Sequence, residues 1–399
     1  MKNRKHTVEP DLRPDTILVR GGSKRSEFDE AAEALFLTAG FVYPSAEEAE
    51  ASFEGETDHY IYTRYGNPTV AMFEERLRLI ESVPAAWATA SGMAAVFYAL
   101  VSMVKSGGRI VASRQLFGSC FIILDELLPR FGIHTDFVDG ESLDQWEQQL
   151  ATPADAVFFE SPSNPMQSLV DIAAVSALAH AAGAEVIVDN VFATPLLQKP
   201  VTLGADVVVY STTKHIDGHG RTLGGAILGN EEFIYERVQP WMRHTGPALS
   251  PFNAWVLLKS LETLRIRVER ESAAALDLAT WIEGHKQVRR VWYPGLESHP
   301  QHDLAARQMA SGGTVVTVEI DGGRDDAFQM MNALKIIDIS NNLGDVKSLI
   351  THPATTTHKR IGLENRTKLG ITDGVIRISI GLEDVEDLRE DLERGLAAI

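Results

Sequence analysis

A single cysteine, Cys120, among 399 residues leaves no partner for an internal disulfide and no cysteine-rich metal site. It sits in an apolar run and reads as a buried structural thiol. The 12 histidines show no metal-ligand spacing, so no metal is expected. Positive charge is also scarce: 37 basic residues face 55 acidic ones, a net charge of −18. That balance repels phosphate backbones and anionic lipid, which argues against nucleic acid and membrane surfaces as partners. No uninterrupted apolar span is long enough to cross a bilayer, and Met1-Lys2-Asn3-Arg4-Lys5-His6 has charge without an apolar segment behind it, so no signal peptide is expected. Internal repeats and low-complexity tracts are missing as well. The expectation left standing is a cytoplasmic protein with small-molecule partners, long enough for two domains.

What is present centres on Val207-Val208-Val209-Tyr210-Ser211-Thr212-Thr213-Lys214, continuing through Gly218 to Gly220. Three valines predict a short buried strand, and the strand runs into hydroxyl residues, a lysine and glycines with no hydrophobic period. A lysine held at the end of a buried strand loses hydration, so its neutral amine becomes available to condense with an aldehyde. Ser211 and Thr213 beside it can donate to a phosphate. An aldehyde and a phosphate together suggest pyridoxal 5'-phosphate; an ordinary strand-to-loop turn with a solvated lysine is the alternative. Upstream, Glu185-Val186-Ile187-Val188-Asp189 is a second buried strand ending in a carboxylate. In parallel α/β sheets ligands collect beyond the carboxyl ends of strands, so Asp189 and Lys214 can face one pocket. A pyridoxal ring needs an anion at its nitrogen as well as a lysine at its aldehyde. Taken alone, Asp189 reads more readily as a helix cap.

Along the chain, residues 1–60 mix charges and prolines with little period and read as an N-terminal arm. Residues 61–255 are expected to form the cofactor-binding large domain and 256–399 a smaller C-terminal domain. In the first, Met93–Lys105 predicts a helix with Gly92 just before it, where a backbone can approach a ligand closely and a helix N-terminus attracts phosphate. Strands are expected at Arg109–Ala112, Ala156–Glu160, Glu185–Asp189, Asp206–Tyr210 and Gly224–Leu228, with helices between, the alternation of a mostly parallel sheet covered on both faces. A long helical stretch from about Ser250 to Gly284 leads into an α+β remainder with strands at Thr314–Ile320 and Val375–Ile380 and a closing helix from about Glu383. Arg377 alternates with Ile376, Ile378 and Ile380, so it points to the face opposite them. His215 and His219 flank the lysine and read as structural.

Several stretches together resemble the cystathionine gamma-synthase family of pyridoxal-phosphate enzymes: Tyr62-Thr63-Arg64-Tyr65-Gly66-Asn67-Pro68-Thr69, Ser91-Gly92-Met93-Ala94-Ala95, Glu160-Ser161-Pro162-Ser163-Asn164-Pro165, Asp189-Asn190, Ser211-Thr212-Thr213-Lys214 and Arg377-Ile378-Ser379-Ile380-Gly381. They keep the family's order from residue 62 to 381. The resemblance implies the aminotransferase-like fold of type I and Lys214 as the catalytic lysine. It places Gly92, Met93, Ser211 and Thr213 at the cofactor phosphate, Asp189 and Asn164 at its ring, and Phe117 stacked on that ring and bordering the substrate. Arg377 and Ser348 are implied as substrate-binding, Arg377 through paired hydrogen bonds to the α-carboxylate. Tyr62 and Arg64 are implied to reach the cofactor phosphate of an adjacent subunit, in a homotetramer whose active sites are shared across a dimer.

The implied reaction is replacement at the γ-carbon of an O-acyl-homoserine. Phe117, where many members carry tyrosine, and Ile216-Asp217-Gly218-His219-Gly220-Arg221 resemble the branch of the family that joins O-succinylhomoserine to sulfide, giving homocysteine for methionine biosynthesis. Cystathionine synthesis from cysteine, γ-elimination by a lyase, and a non-catalytic binding role are the alternatives. In Leu343-Gly344-Asp345-Val346-Lys347-Ser348, Lys347 stands where cysteine-using synthases resemble this stretch but carry glutamate. A lysine facing the acceptor would repel the ammonium of cysteine and leave hydrosulfide unhindered.

Overall fold

The computed structural model describes residues 12–399, so the opening Met1–His6 lies outside the described residues. A seven-stranded sheet forms the larger body. Its strands are β1 (Ala85–Thr89), β2 (Arg109–Ser113), β3 (His134–Val138), β4 (Ala156–Glu160), β5 (Glu185–Asp189), β6 (Val207–Ser211) and β7 (Gly225–Gly229), in the order β1-β7-β6-β5-β4-β2-β3. The run from β6 to β3 is parallel, and β7 is antiparallel to both its neighbours. Val207, Val208 and Val209 are fully buried, one face against each flanking helical layer, which is why a continuous apolar run and not an alternating one encodes this strand. Each such side chain contributes about 1.5–3 kcal/mol on burial.

The smaller sheet holds β8 (Val288–Trp292), β9 (Val315–Ile320), β10 (Asp338–Ile339), β11 (Leu349–Thr351) and β12 (Val375–Ser379), ordered β10-β11-β12-β9-β8. Ile376, Ile378 and Ile380 enter its core beside the closing helix Val385–Leu396, so Arg377 faces the other way, toward Asn164 of the large domain. The helical stretch expected as one piece from Ser250 is two helices, Pro251–Leu261 and Leu264–Glu283. Thr263 leaves helical geometry between them (φ −112°, ψ 6°). There the Ser260 carbonyl accepts from Arg267, whose other nitrogen donates to the His215 carbonyl at 2.8 Å, just past Lys214. The second helix begins in the large core with Leu264 and Val268 and ends in the small one with Leu278 and Ile282, so the crossing runs along it, beyond residue 255.

The arm divides in two. Ile17 and Leu18 join the large core, and the buried Arg76 holds the next segment through the Gly21 carbonyl (2.7 Å) and Glu33 (2.6 Å). Beyond it Leu37, Val42 and Phe53 are 68%, 89% and 67% exposed, an unusual concentration of bare apolar side chains in one segment.

Candidate active site

One cavity of about 260 Å³ opens at the carboxyl ends of β4, β5 and β6. Gly92, Met93, Phe117, Asn164, Asp189, Ser211, Thr213, Lys214 and Arg377 all line it. The helix Gly92–Met103 starts at its edge. Ser91 caps this helix by accepting the Ala94 N–H at 3.2 Å, and the next amides, of Gly92 and Met93, have no intrahelical acceptor. A Cβ on residue 92 would lie 2.5 Å from the Ser211 Cβ, so only glycine lets the helix start press on the end of β6. Free amides and two hydroxyls therefore converge beside one another, a donor set suited to an anion.

Lys214 is half-buried at the turn after β6. Burial, and then the charge of Arg377, lowers its amine from the usual range to about 8. Its Nζ donates to Asn342 Oδ1 at 2.5 Å. Asp189 is buried at the end of β5, where it accepts the Val191 N–H at 3.1 Å. Burial raises its carboxyl to about 7, with no cation among the described residues to offset the cost. Beside it on the neighbouring strand, in register, stands Glu160. Burial and then the charge of Asp189 push Glu160 well above the usual carboxylate range. Two carboxyls this close and this dry share their protons unequally. Glu160 also accepts the Phe117 N–H at 2.8 Å, which holds the ring-bearing loop at the cavity wall.

Arg377 is fully buried and spans the cavity floor. Its Nη1 donates to Asn164 Oδ1 (3.0 Å) and its Nη2 to the carbonyls of Asn341 and Asn342 (3.0 Å each). His215 turns away to Thr314 (2.7 Å) and burial takes it down to about 3, a neutral structural group.

Four expected positions lie elsewhere. Tyr62 and Arg64 sit in a separate concavity with Leu37, Thr38, Gly246 and Ser250, where the Arg64 guanidinium lies 5.3 Å from the Tyr62 ring centroid. Ser348 is buried outside the cavity, donating to Glu383 at 2.8 Å and accepting the Gly381 N–H at 2.9 Å, so its hydroxyl is already engaged. Lys347 is exposed and does not line the cavity, which corrects the expectation that its charge meets the incoming nucleophile. The left-handed turn at Gly344 and the bond from the Lys347 amide to Asp345 (3.0 Å) fix the local backbone, and the side chain follows it outward.

Sequence reasoning missed Glu160 as a cavity residue, although a carboxylate closing the apolar strand Val157-Phe158-Phe159 beside Asp189 was a readable signal. It also missed Asn341, Asn342 and Thr357, polar loop residues with no local pattern.

The cavity fits pyridoxal phosphate on its own chemistry. A buried carboxylate without a cation suits a protonated ring nitrogen, a desolvated amine suits the aldehyde, and the helix start with two hydroxyls suits the phosphate.

Residues 15–397 match the family model described as Cys/Met metabolism PLP-dependent enzyme. The chain is 63% identical over 386 residues to an O-succinylhomoserine sulfhydrylase of Mycobacterium tuberculosis, covering 96% of this chain and 95% of that protein. It is 48% identical over 385 residues to an O-succinylhomoserine sulfhydrylase of Pseudomonas aeruginosa, again covering 96% and 95%. Among solved structures, a putative O-acetylhomoserine (thiol)-lyase of Campylobacter jejuni with a pyridoxyl-lysine superposes with a TM-score of 0.92 at 30% identity, covering 97% of this chain and all of that one. On this match, which runs through both sheets, the chain belongs to the Cys/Met metabolism family of pyridoxal-phosphate-dependent enzymes.

Proposed function

We propose that this enzyme replaces the succinyloxy group of O-succinyl-L-homoserine with sulfide, forming homocysteine and succinate. The observation that carries the reading is one cavity holding a desolvated lysine, a buried aspartate and a buried arginine, in a chain 63% identical to a protein named for that activity. Pyridoxal phosphate, when bound, supplies an electron-withdrawing ring joined to the substrate nitrogen, which acidifies the Cα hydrogen.

The roles we assign to this chain's residues follow from their placement. Asp189 keeps the ring nitrogen protonated, a charge-assisted bond worth about 1.5–3 kcal/mol. Gly92, Met93, Ser211 and Thr213 hold the phosphate, Phe117 covers the ring, and Asn164 borders it. Arg377, whose Nε–H has no partner among the described residues, takes the α-carboxylate and so orients Cα toward Lys214. Nζ of Lys214 then removes the Cα proton and later returns it. Loss of a proton from Cβ lets the Cγ–O bond break, succinate leaves with the bonding pair, and hydrosulfide adds its sulfur at Cγ before Cβ is reprotonated. Ser348 acts through the backbone it pins to Glu383.

Tyr62 and Arg64 serve, in this proposal, the cavity of a neighbouring subunit within a homotetramer. Their distance from their own cavity and the exposed apolar side chains of the same segment support this. No described helix is long and apolar enough to cross a membrane. A cytoplasmic location suits an enzyme of soluble metabolites.

Initial rates with succinyl, acetyl and phosphoryl homoserine, each with sulfide or cysteine, test the reading. Homocysteine from the succinyl donor and sulfide is the expected dominant product. Predominance of cystathionine would install the synthase alternative, and ammonia with a ketoacid the lyase.

A further inference from the structure

Resting on the reading of the donor as O-succinyl-L-homoserine and of Tyr62 and Arg64 as serving a neighbouring subunit, we propose that Arg243 is a specificity-determining residue. Its guanidinium takes the terminal carboxylate of the succinyl group at the mouth of that neighbour's cavity. Charge sets the requirement. The cavity wall carries two cations, Lys214 and Arg377, and two carboxyls, Glu160 and Asp189. Arg377 is committed to the α-carboxylate, and Lys214 to the cofactor and to proton transfer. A succinyl donor brings a second carboxylate at the far end of its acyl chain. Within this wall that group finds no free cation and faces two acidic side chains, so its partner must come from outside the wall.

Arg243 is placed to supply it. It lies in the last turn of the helix Gln239–Thr245, which ends at Gly246 in the left-handed region (φ +88°). The chain then passes under Arg64, since a Cβ on Gly246 would lie 3.7 Å from Arg64 Cδ. One residue on, the Pro247 carbonyl accepts the Ala90 N–H at 2.7 Å, next to the Ser91 cap of the cavity helix. Arg64 and Arg243 meet at one ring: their guanidinium carbons lie 4.8 and 5.4 Å from the Tyr65 centroid. Where Arg64 is presented to a neighbour, Arg243 is presented with it. Trp241 of the same helix is 39% exposed beside Tyr98, with 6.1 Å between the ring centroids, so bare aromatic surface borders the two arginines.

The surroundings of Arg243 leave its charge uncompensated. The residue is half-buried, and its Nε is buried with no hydrogen-bond partner among the described residues. Burial lowers its pKa, with Tyr65 as the group that offsets the loss. Arg237 on the preceding turns shows the ordinary arrangement, with its two Nη atoms reaching Glu185 at 2.8 and 2.5 Å. In a chain with 55 acidic residues against 37 basic ones, a half-buried guanidinium resting on a π face is available to an anion that arrives. The arginine fork accepts a carboxylate through two parallel hydrogen bonds. An acetyl donor has no such group, so the same contact selects succinyl over acetyl.

The test compares two donors of one size, O-succinyl-L-homoserine and its succinamoyl analogue, which ends in a neutral amide. With holoenzyme and sulfide, kcat/KM of the parent favours the carboxylate donor about tenfold or more, and in Arg243→Gln that preference falls about tenfold or more. Arg243→Lys keeps part of it, having the charge without the fork. Hybrids locate the contact: when Arg243→Gln chains are mixed with an excess of Lys214→Ala chains, the working sites receive Arg243 from the inactive partner and the preference returns. A preference in Arg243→Gln within about twofold of the parent's, a loss of rate equal for both donors, or hybrids that stay indifferent to the distal charge overturns the proposal. So does a preference that collapses instead in Lys359→Gln or Arg360→Gln, the exposed cations that follow Thr357 of the cavity wall. A parent that does not turn over the succinyl donor at all would instead overturn the reading of the reaction.

Discussion

Replacing Asp189 by asparagine should have opposite effects on the empty and the loaded protein. In the empty protein the carboxyl is buried without a cation and its pKa rises from 3.8 to about 7. The folded state then binds protons more tightly than the unfolded one, so the group lowers stability as pH rises from about 4 to about 7, and the whole burden is present above that. A rise of that size corresponds to about 4 kcal/mol at most, and water entering the cavity reduces this to an effect of order 1–2 kcal/mol. The asparagine side chain has the same shape and can still accept the Val191 N–H, but it has no charge to bury. The cofactor-free Asp189→Asn protein should therefore melt a few degrees higher than its parent at pH 8, and the gain should vanish near pH 4, where the carboxyl is protonated in the parent too. In the loaded protein the same change removes the charge-assisted bond to the ring nitrogen, about 1.5–3 kcal/mol, or roughly 10- to 150-fold in affinity for pyridoxal phosphate. Scanning calorimetry at the two pH values and fluorescence titration with the cofactor read the two signs separately. A cofactor-free variant no more stable than its parent at pH 8, or one that binds the cofactor undiminished, would refute the account of Asp189.

Lys214→Ala should abolish turnover and the visible absorbance together, since no other lining residue supplies an amine; a rate one-tenth of the parent's would sink the assignment. Gly92→Ala forces a Cβ to within 2.5 Å of Ser211, so the helix start must shift away from β6, and cofactor affinity should drop about tenfold or more in equilibrium dialysis with little change in the far-ultraviolet circular dichroism. Mixing Arg64→Ala chains with Lys214→Ala chains should restore measurable activity in hybrids, each parent being inactive. A fully active monomer in sedimentation runs would contradict the shared site.

What the sequence determined by itself is local. Three consecutive valines before a polar turn specify β6 and put Lys214 at its end, and Glu185–Asp189 does the same for Asp189, because a strand between two helical layers must be apolar on both faces. The alternation of Arg377 with three isoleucines told which way the guanidinium points, since a strand's side chains change face at every residue. Ordered motifs from residue 62 to 381 carried the family and the cofactor. Strand order and loop docking were decided only by the tertiary structure. Glu160 becomes a cavity residue because β4 pairs with β5 in the register that sets it beside Asp189. Ser348 is withdrawn from the cavity by Glu383, and Lys347 is turned to solvent by the turn at Gly344. Asn342 reaches Lys214 because the small sheet docks its loop against the turn after β6. Periodicity records which face of an element is dry; it does not record which distant element will make it so.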